Sequence, residues 1–193
     1  IDASWSMRFY DQIVTARNLT GTLFESVKDI PNIEIKGNVW AGSEKGEIGI
    51  TEINKISDVK KISVTRPYGF TPTHAALEYS IGMLKKMKAR HKLLILITDG
   101  YPQFYNNSGK EVPLHIYMQR CKKSLQKVLR VTPNVLCVMV SASEESEDTL
   151  DHSLMDKLFG SKRLIVVNNM NKASEKIIKN FRRFIFKNIV KPL

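Results

Sequence analysis

Only two cysteines occur in the 193 residues, Cys121 in a helical pattern and Cys137 in an apolar strand pattern. Two thiols without close spacing exclude a multi-bridge disulfide framework and a cysteine-based zinc motif. They fit a reducing, cytoplasmic setting, with a single buried disulfide between them as the alternative. No stretch approaches the ~18 apolar residues of a membrane span, and no signal-peptide pattern is present. A Gly-x-x-x-x-Gly-Lys-Ser/Thr phosphate loop is also missing, as is any pair of acids suited to general acid–base work. These absences speak against a nucleotide-cradling or hydrolytic enzyme. Acids are scarce altogether: 19 Asp and Glu face 30 Lys and Arg, for a formal net charge of +11.

Such an excess attracts acidic partners, but it bears on association rather than fold. Much of it falls on predicted helices, with Lys85, Lys86, Lys88 and Arg90 ending one and Lys172, Lys176, Lys179, Arg182, Arg183 and Lys187 lining another. Cations at a helix C-terminus complement the macrodipole. Solvated helix faces therefore account for the charge better than a nucleic-acid site, for which no recognition motif exists.

What the sequence does have is a set of oxygen-bearing residues at predicted strand ends. Asp2-Ala3-Ser4-Trp5-Ser6 places an acid and two hydroxyls at alternating positions just before a helical pattern. Gly69-Phe70-Thr71-Pro72-Thr73 is a turn feeding a helix, with a hydroxyl at Thr71 or Thr73. Leu93 to Thr98 is a short apolar run, read as a buried strand, that delivers Asp99-Gly100 to a loop. A hard divalent cation such as Mg²⁺ takes oxygen ligands, retains water and needs only one or two carboxylates. Ligand sites of open α/β sheets lie at the carboxyl ends of strands.

These three motifs, in this order, resemble the metal-ion-dependent adhesion site of von Willebrand factor A domains, and the resemblance runs along nearly the whole chain. It implies that Ser4, Ser6 and Thr71 ligate a metal, with Asp2 and Asp99 acting through water. The metal it implies is Mg²⁺, with Mn²⁺ or Ca²⁺ as alternatives. One departure stands out: Trp5 occupies a position where the family usually carries Gly. His74, near the start of the helix after the turn, lies close in sequence but reads as a rim residue rather than a ligand.

The remaining pattern predicts alternating helices and strands. An amphipathic helix over Arg8 to Lys28 carries Phe9, Ile13, Ala16, Leu19, Leu23 and Val27 inward. Strands follow over Ile33–Ala41 and Glu47–Ile56, the second an antiparallel edge paired with the first. Helices are expected over Thr73–Lys88, Pro113 to about Arg130, Ser153–Phe159 and Ala173 to about Val190. Strands are expected over Asn134–Ser141 and Arg163–Val167. This is the pattern of a single doubly wound α/β domain over 1–193, with a mostly parallel central sheet, one antiparallel edge strand and helices on both faces. Such a sheet needs its first strand in the centre, and only Ile1 stands before Asp2; the domain is expected to lack most of that strand.

Leu154 to Gly160, the acidic loop before it, and Asp99-Gly100-Tyr101-Pro102 are similar to the cobaltochelatase CobT and nitric oxide reductase activator NorD type of bacterial A domain. That resemblance implies a partner in a MoxR-class AAA+ ATPase. The functional expectation is a metal-dependent protein–protein interaction module, not catalytic on its own, whose Mg²⁺ accepts an Asp or Glu carboxylate from a partner. An aromatic rim of Trp5, Tyr68, Phe70, Tyr101, Phe104 and Tyr105 would supply contact area. The alternatives are a basic nucleic-acid-binding protein, a Mg²⁺-dependent phosphoryl-transfer protein and an extracellular adhesion domain.

Overall fold

The computed structural model describes residues 1–31, 33–61, 67–100, 102–106, 108–140 and 150–167, with Ile177, Lys179 and Arg183. A 3-10 turn over Trp5–Asp11 leads into α1 (Gln12–Val27). Next come β1 (Gly37–Gly42) and β2 (Ile48–Ile53), then a 3-10 turn over Ile56–Val59. Helix α2 (Thr73–Lys86) precedes β3 (Leu94–Thr98), α3 (Leu114–Val131), β4 (Val135–Val140), α4 (Leu150–Phe159) and β5 (Leu164–Val167).

The strands form two sheets rather than the single mostly parallel sheet expected. β1 and β2 are an antiparallel pair, with Val39 opposite Thr51, in keeping with the alternation of Ile48, Ile50 and Ile53. β3, β4 and β5 are parallel in that order. Ile1–Ala3 lies between the two sheets. Asp2 bridges Trp40 in parallel, Trp40 N–H donates to the Ile1 carbonyl at 3.0 Å, and Asp2 N–H donates to the Ile97 carbonyl at 2.8 Å. Among the described residues, these bonds of Ile1–Ala3 are what link the β1–β2 pair to the β3–β4–β5 sheet.

Alternation in β3 and β4 divides the core, because successive strand residues point to opposite faces. Ile97, Val138 and Val140 face Ala16, Leu19, Leu23 and Phe24 of α1. Leu96, Val135, Cys137 and Met139 face Leu77 and Leu84 of α2 and Tyr117, Cys121 and Leu125 of α3. The cysteines are buried free thiols, Cys121 pushed up to about 12 by burial.

Phe9, counted in the predicted apolar stripe, is 43% exposed. Residues 5–11 wind with three residues per turn, which rotates Phe9 off the inward face. Ile33–Lys36 stays outside β1. The acidic loop over 141–149 and most of the closing helix, including Ile178, Phe181, Ile185 and Ile189, lie outside the described residues; Ile177 is buried. Among the described residues, no helix is long and apolar enough to cross a membrane.

Candidate functional site

The Asp2 carboxylate, wholly buried, is held from two sides. Its Oδ1 accepts the Ser4 N–H at 2.8 Å and its Oδ2 accepts the Thr98 hydroxyl at 2.6 Å. Burial raises its pKa, and the hydrogen bonds from Thr98 and Ser4 oppose that rise. Asp2 thus fixes the turn after it. Ser4 is extended (φ −64°, ψ 164°) at the start of the 3-10 turn, and its Oγ lies 3.1 Å from Ser6 Oγ.

That spacing bears on the metal question. Adjacent ligands on an octahedral cation with ~2.1 Å bonds sit about 3.0 Å apart, so the two serine oxygens fit neighbouring positions on Mg²⁺. Among the described residues no group of three or more His, Cys, Asp or Glu could hold an ion. A site here therefore needs hydroxyl ligands.

The Thr71 turn is stitched to the same segment. Tyr68 N–H donates to the Ala3 carbonyl and Trp5 N–H to the Gly69 carbonyl, each at 3.0 Å, while Gly42 and Phe70 exchange backbone bonds of 2.9 and 2.7 Å. Gly69 has φ +61°, and a Cβ there would overlap the Gly42 carbonyl oxygen. Only glycine fits this close crossing. Thr71 is buried, and its carbonyl accepts from Thr73 N–H, Gln103 N–H and the Tyr117 hydroxyl. Asp99, 8% exposed, directly follows Thr98, whose Oγ1 also accepts the Gly100 N–H at 3.2 Å. Asp2, Ser4 and Ser6 are thus joined directly. Thr71 and Asp99 are tied to them through backbone and through Thr98.

The aromatic residues divide. Trp5 is 48% exposed, edge-on to Phe9 at 4.9 Å, with the Arg8 guanidinium 4.5 Å over its ring. Tyr68 is 44% exposed, and Phe70 stacks on Tyr105 at 3.9 Å. Phe104, expected on the rim, is buried instead against His74 and Tyr117, because its carbonyl is pinned by the Val112 N–H and its ring completes the α2–α3 core. Tyr101 lies outside the described residues.

His74 is also a core residue rather than a rim one. Its Nδ1 is 2.9 Å from the Tyr117 hydroxyl, which donates to the Thr71 carbonyl, so Nδ1 carries the proton. Desolvation first, and Arg120 second, lower its pKa to about 4 against the opposing pull of Glu78.

Thr98 and Tyr117 also shape the site, and motifs alone do not point to either. Thr98 has one signal in the sequence, a hydroxyl directly before Asp99. Tyr117 has none, since its spacing is that of any apolar position on an amphipathic helix.

No known protein-family signature matches the chain, and no curated protein matches it by sequence. Solved structures do. The pilus adhesin SpaC from Lactobacillus rhamnosus GG, in its open conformation, aligns with 96% of this chain at TM-score 0.72 and 11% identity. The chain spans 29% of that protein. The vWF domain of the type V pili tip protein Mfa5 from Porphyromonas gingivalis aligns at TM-score 0.68 and 9% identity, covering 94% of this chain and 93% of that one. The PilB minor pilin from Streptococcus sanguinis aligns at 0.65 and 16%, covering 95% and 59%. Identities this low speak to fold alone: the chain has a mixed α/β fold like that of von Willebrand factor A domains.

Proposed function

We propose that the chain is a metal-dependent protein–protein interaction module. Mg²⁺ is held by the hydroxyls of Ser4, Ser6 and Thr71, with Asp2 and Asp99 acting through water, and an open coordination position takes an Asp or Glu carboxylate from a partner. The observation carrying this reading is the serine pair 3.1 Å apart, fixed by an Asp2 carboxylate that is itself held by Thr98. Mn²⁺ or Ca²⁺ would use the same oxygens. The exposed Trp5, Tyr68 and Arg8 supply contact area beside the serines.

The resemblance to the cobaltochelatase and NorD type gives a MoxR-class AAA+ ATPase as one partner and a cytoplasmic setting. A second reading, an adhesive partner outside the cell, draws on the pilus proteins among the structural neighbours. Both need the metal.

The test is thermal unfolding with and without Mg²⁺ on wild type, Ser6→Ala and Asp99→Ala. A ligand bound only by the folded state at 100 times its Kd adds ~2.7 kcal/mol, a Tm rise of roughly 5–10 °C for a domain of this size. Wild type should show the rise and both variants should lose most of it. An equal rise in all three would put the ion elsewhere and end the proposal.

A further inference from the structure

Helix α3 carries no acid. From Val112 to Val140 the sequence has neither Asp nor Glu, whereas Arg120, Lys122, Lys123, Lys127 and Arg130 all fall within the helix. Its inward face packs into the core through Tyr117, Cys121, Leu125 and Val128. Its outward face is made by Gln119, Lys122, Lys123, Gln126 and Arg130, which are all exposed and share one side of the helix at i, i+3, i+4, i+7 and i+11.

Neither the helix dipole nor pairing within the helix accounts for this charge. Cations complement the dipole in the last turn, where Arg130 lies, but Arg120, Lys122 and Lys123 lie in the middle of the helix. Arg120 stands three residues before Lys123, and Lys123 four before Lys127, both unfavourable spacings for like charges. A surface built for solubility alone interleaves the two signs. Among the described residues, Lys127 pairs with Glu78 of α2, and no ion pair joins Lys122, Lys123 or Arg130 to an acid.

The Glu78 contact shows what α3 accepts. Lys127 Nζ donates to Glu78 Oε1 at 2.9 Å, and Ser124 Oγ donates to the same oxygen at 3.0 Å. An acid carried by a neighbouring helix is thus already seated on α3.

We propose that the outward face of α3 docks an acidic helix of a partner protein. Two helices share one rise per residue, so carboxylates at three- and four-residue steps on the partner meet Lys122, Lys123 and Arg130 in register. Gln119 and Gln126 donate between them. Ile116, 49% exposed near the start of the helix, adds an apolar contact. The outward face has no aromatic ring on which a single-stranded nucleic acid would stack. The apolar side of α3 is in the core, which leaves none to insert into a membrane. This inference is independent of the metal.

The test is fluorescence anisotropy with the 193-residue chain in EDTA. One probe is an Ala-based helical peptide with Glu at three- and four-residue steps along one face; the other has the same composition with Glu spread around the helix. Lys122→Gln/Lys123→Gln/Arg130→Gln is compared with Lys28→Gln/Lys45→Gln/Lys55→Gln, which removes the same charge away from α3. All six side chains are exposed, so folding is not at stake. Wild type should bind the one-faced peptide more tightly than the other. The α3 variant should weaken that binding about tenfold through three lost ion pairs, and the control variant by less than about twofold, its charges being screened at a distance. Equal weakening by the two variants, or equal affinity for the two peptides, would overturn the proposal. So would α3-dependent binding of a DNA duplex or of phosphatidylserine vesicles with neither peptide bound.

Discussion

The two ends of the Ile1–Ala3 segment differ in what surrounds them. At the carboxyl end, Ile1–Ala3 pairs with both sheets, and polar groups fill the space beyond it: Asp2 on Ser4 and Thr98, Tyr68 on Ala3, Trp5 on Gly69. At the amino end, the same position opens into an apolar cavity lined by α1 and α2. The contrast is one of chemistry, hydrogen-bonded polar groups at one end and apolar side chains at the other. Backbone bonds between the first two loops, and the Thr98 hydroxyl on the Asp2 carboxylate, hold the candidate site together. Substitutions should therefore be costly at the loop end and mild around the cavity.

The largest effect should come from Gly69→Val. It forces a branched side chain into left-handed backbone and onto the Gly42 carbonyl, at about 4 kcal/mol or outright failure to fold. Near-wild-type stability in a denaturant titration would show that the crossing of Gly69 and Gly42 is not rigid.

Acid should act next, through His74. Its pKa is lowered from 6.5 to about 4 in the folded chain, so the unfolded state binds the proton first. The stability His74 contributes as neutral imidazole is present above pH 6.5 and lost as pH falls toward 4, to a limit of about 3 kcal/mol. An NMR titration of the imidazole reads this directly, and a midpoint near 6.5 would mean that the ring is solvated.

A matched pair tests the contrast itself. Thr98→Val leaves Asp2 Oδ2 and the Gly100 N–H without their shared partner and should cost about 2 kcal/mol. Ile35→Ala, at a half-buried position that packs on the edge of the core, should cost about 1 kcal/mol, since part of the side chain is already in solvent. Equal costs by urea denaturation would erase the difference between the two ends.

The smallest effect on stability belongs to Trp5→Ala. With the indole half exposed, Tm should move by no more than the equivalent of about 0.5 kcal/mol, while affinity for a carboxylate-bearing partner falls at least tenfold. Unchanged affinity would remove Trp5 from the interface.

Much of the fold is legible in the sequence. Apolar periodicity sets α1, α2 and α3 to within a turn, and Ile48, Ile50 and Ile53 mark an antiparallel edge, because side-chain period follows from backbone geometry alone. The three oxygen-bearing motifs pick out segments that the fold does bring into contact. Periodicity cannot place single side chains at loop ends. Phe104 and His74 read as rim residues and are core, since the Tyr117 hydroxyl, on a helix about 40 residues away, accepts from His74 and donates to the Thr71 carbonyl. Phe9 reads as core and is surface, because the 3-10 turn changes the residues per turn.

By itself the sequence determined which segments become helix or strand and which residues carry oxygen donors, since both are local properties. Only the tertiary structure decided that Thr98 and Ser4 hold Asp2, that the serine oxygens stand 3.1 Å apart, and that Tyr117 reaches both His74 and the Thr71 carbonyl. Those are contacts between distant segments. Their energies depend on which backbone edges and buried groups the fold leaves facing one another.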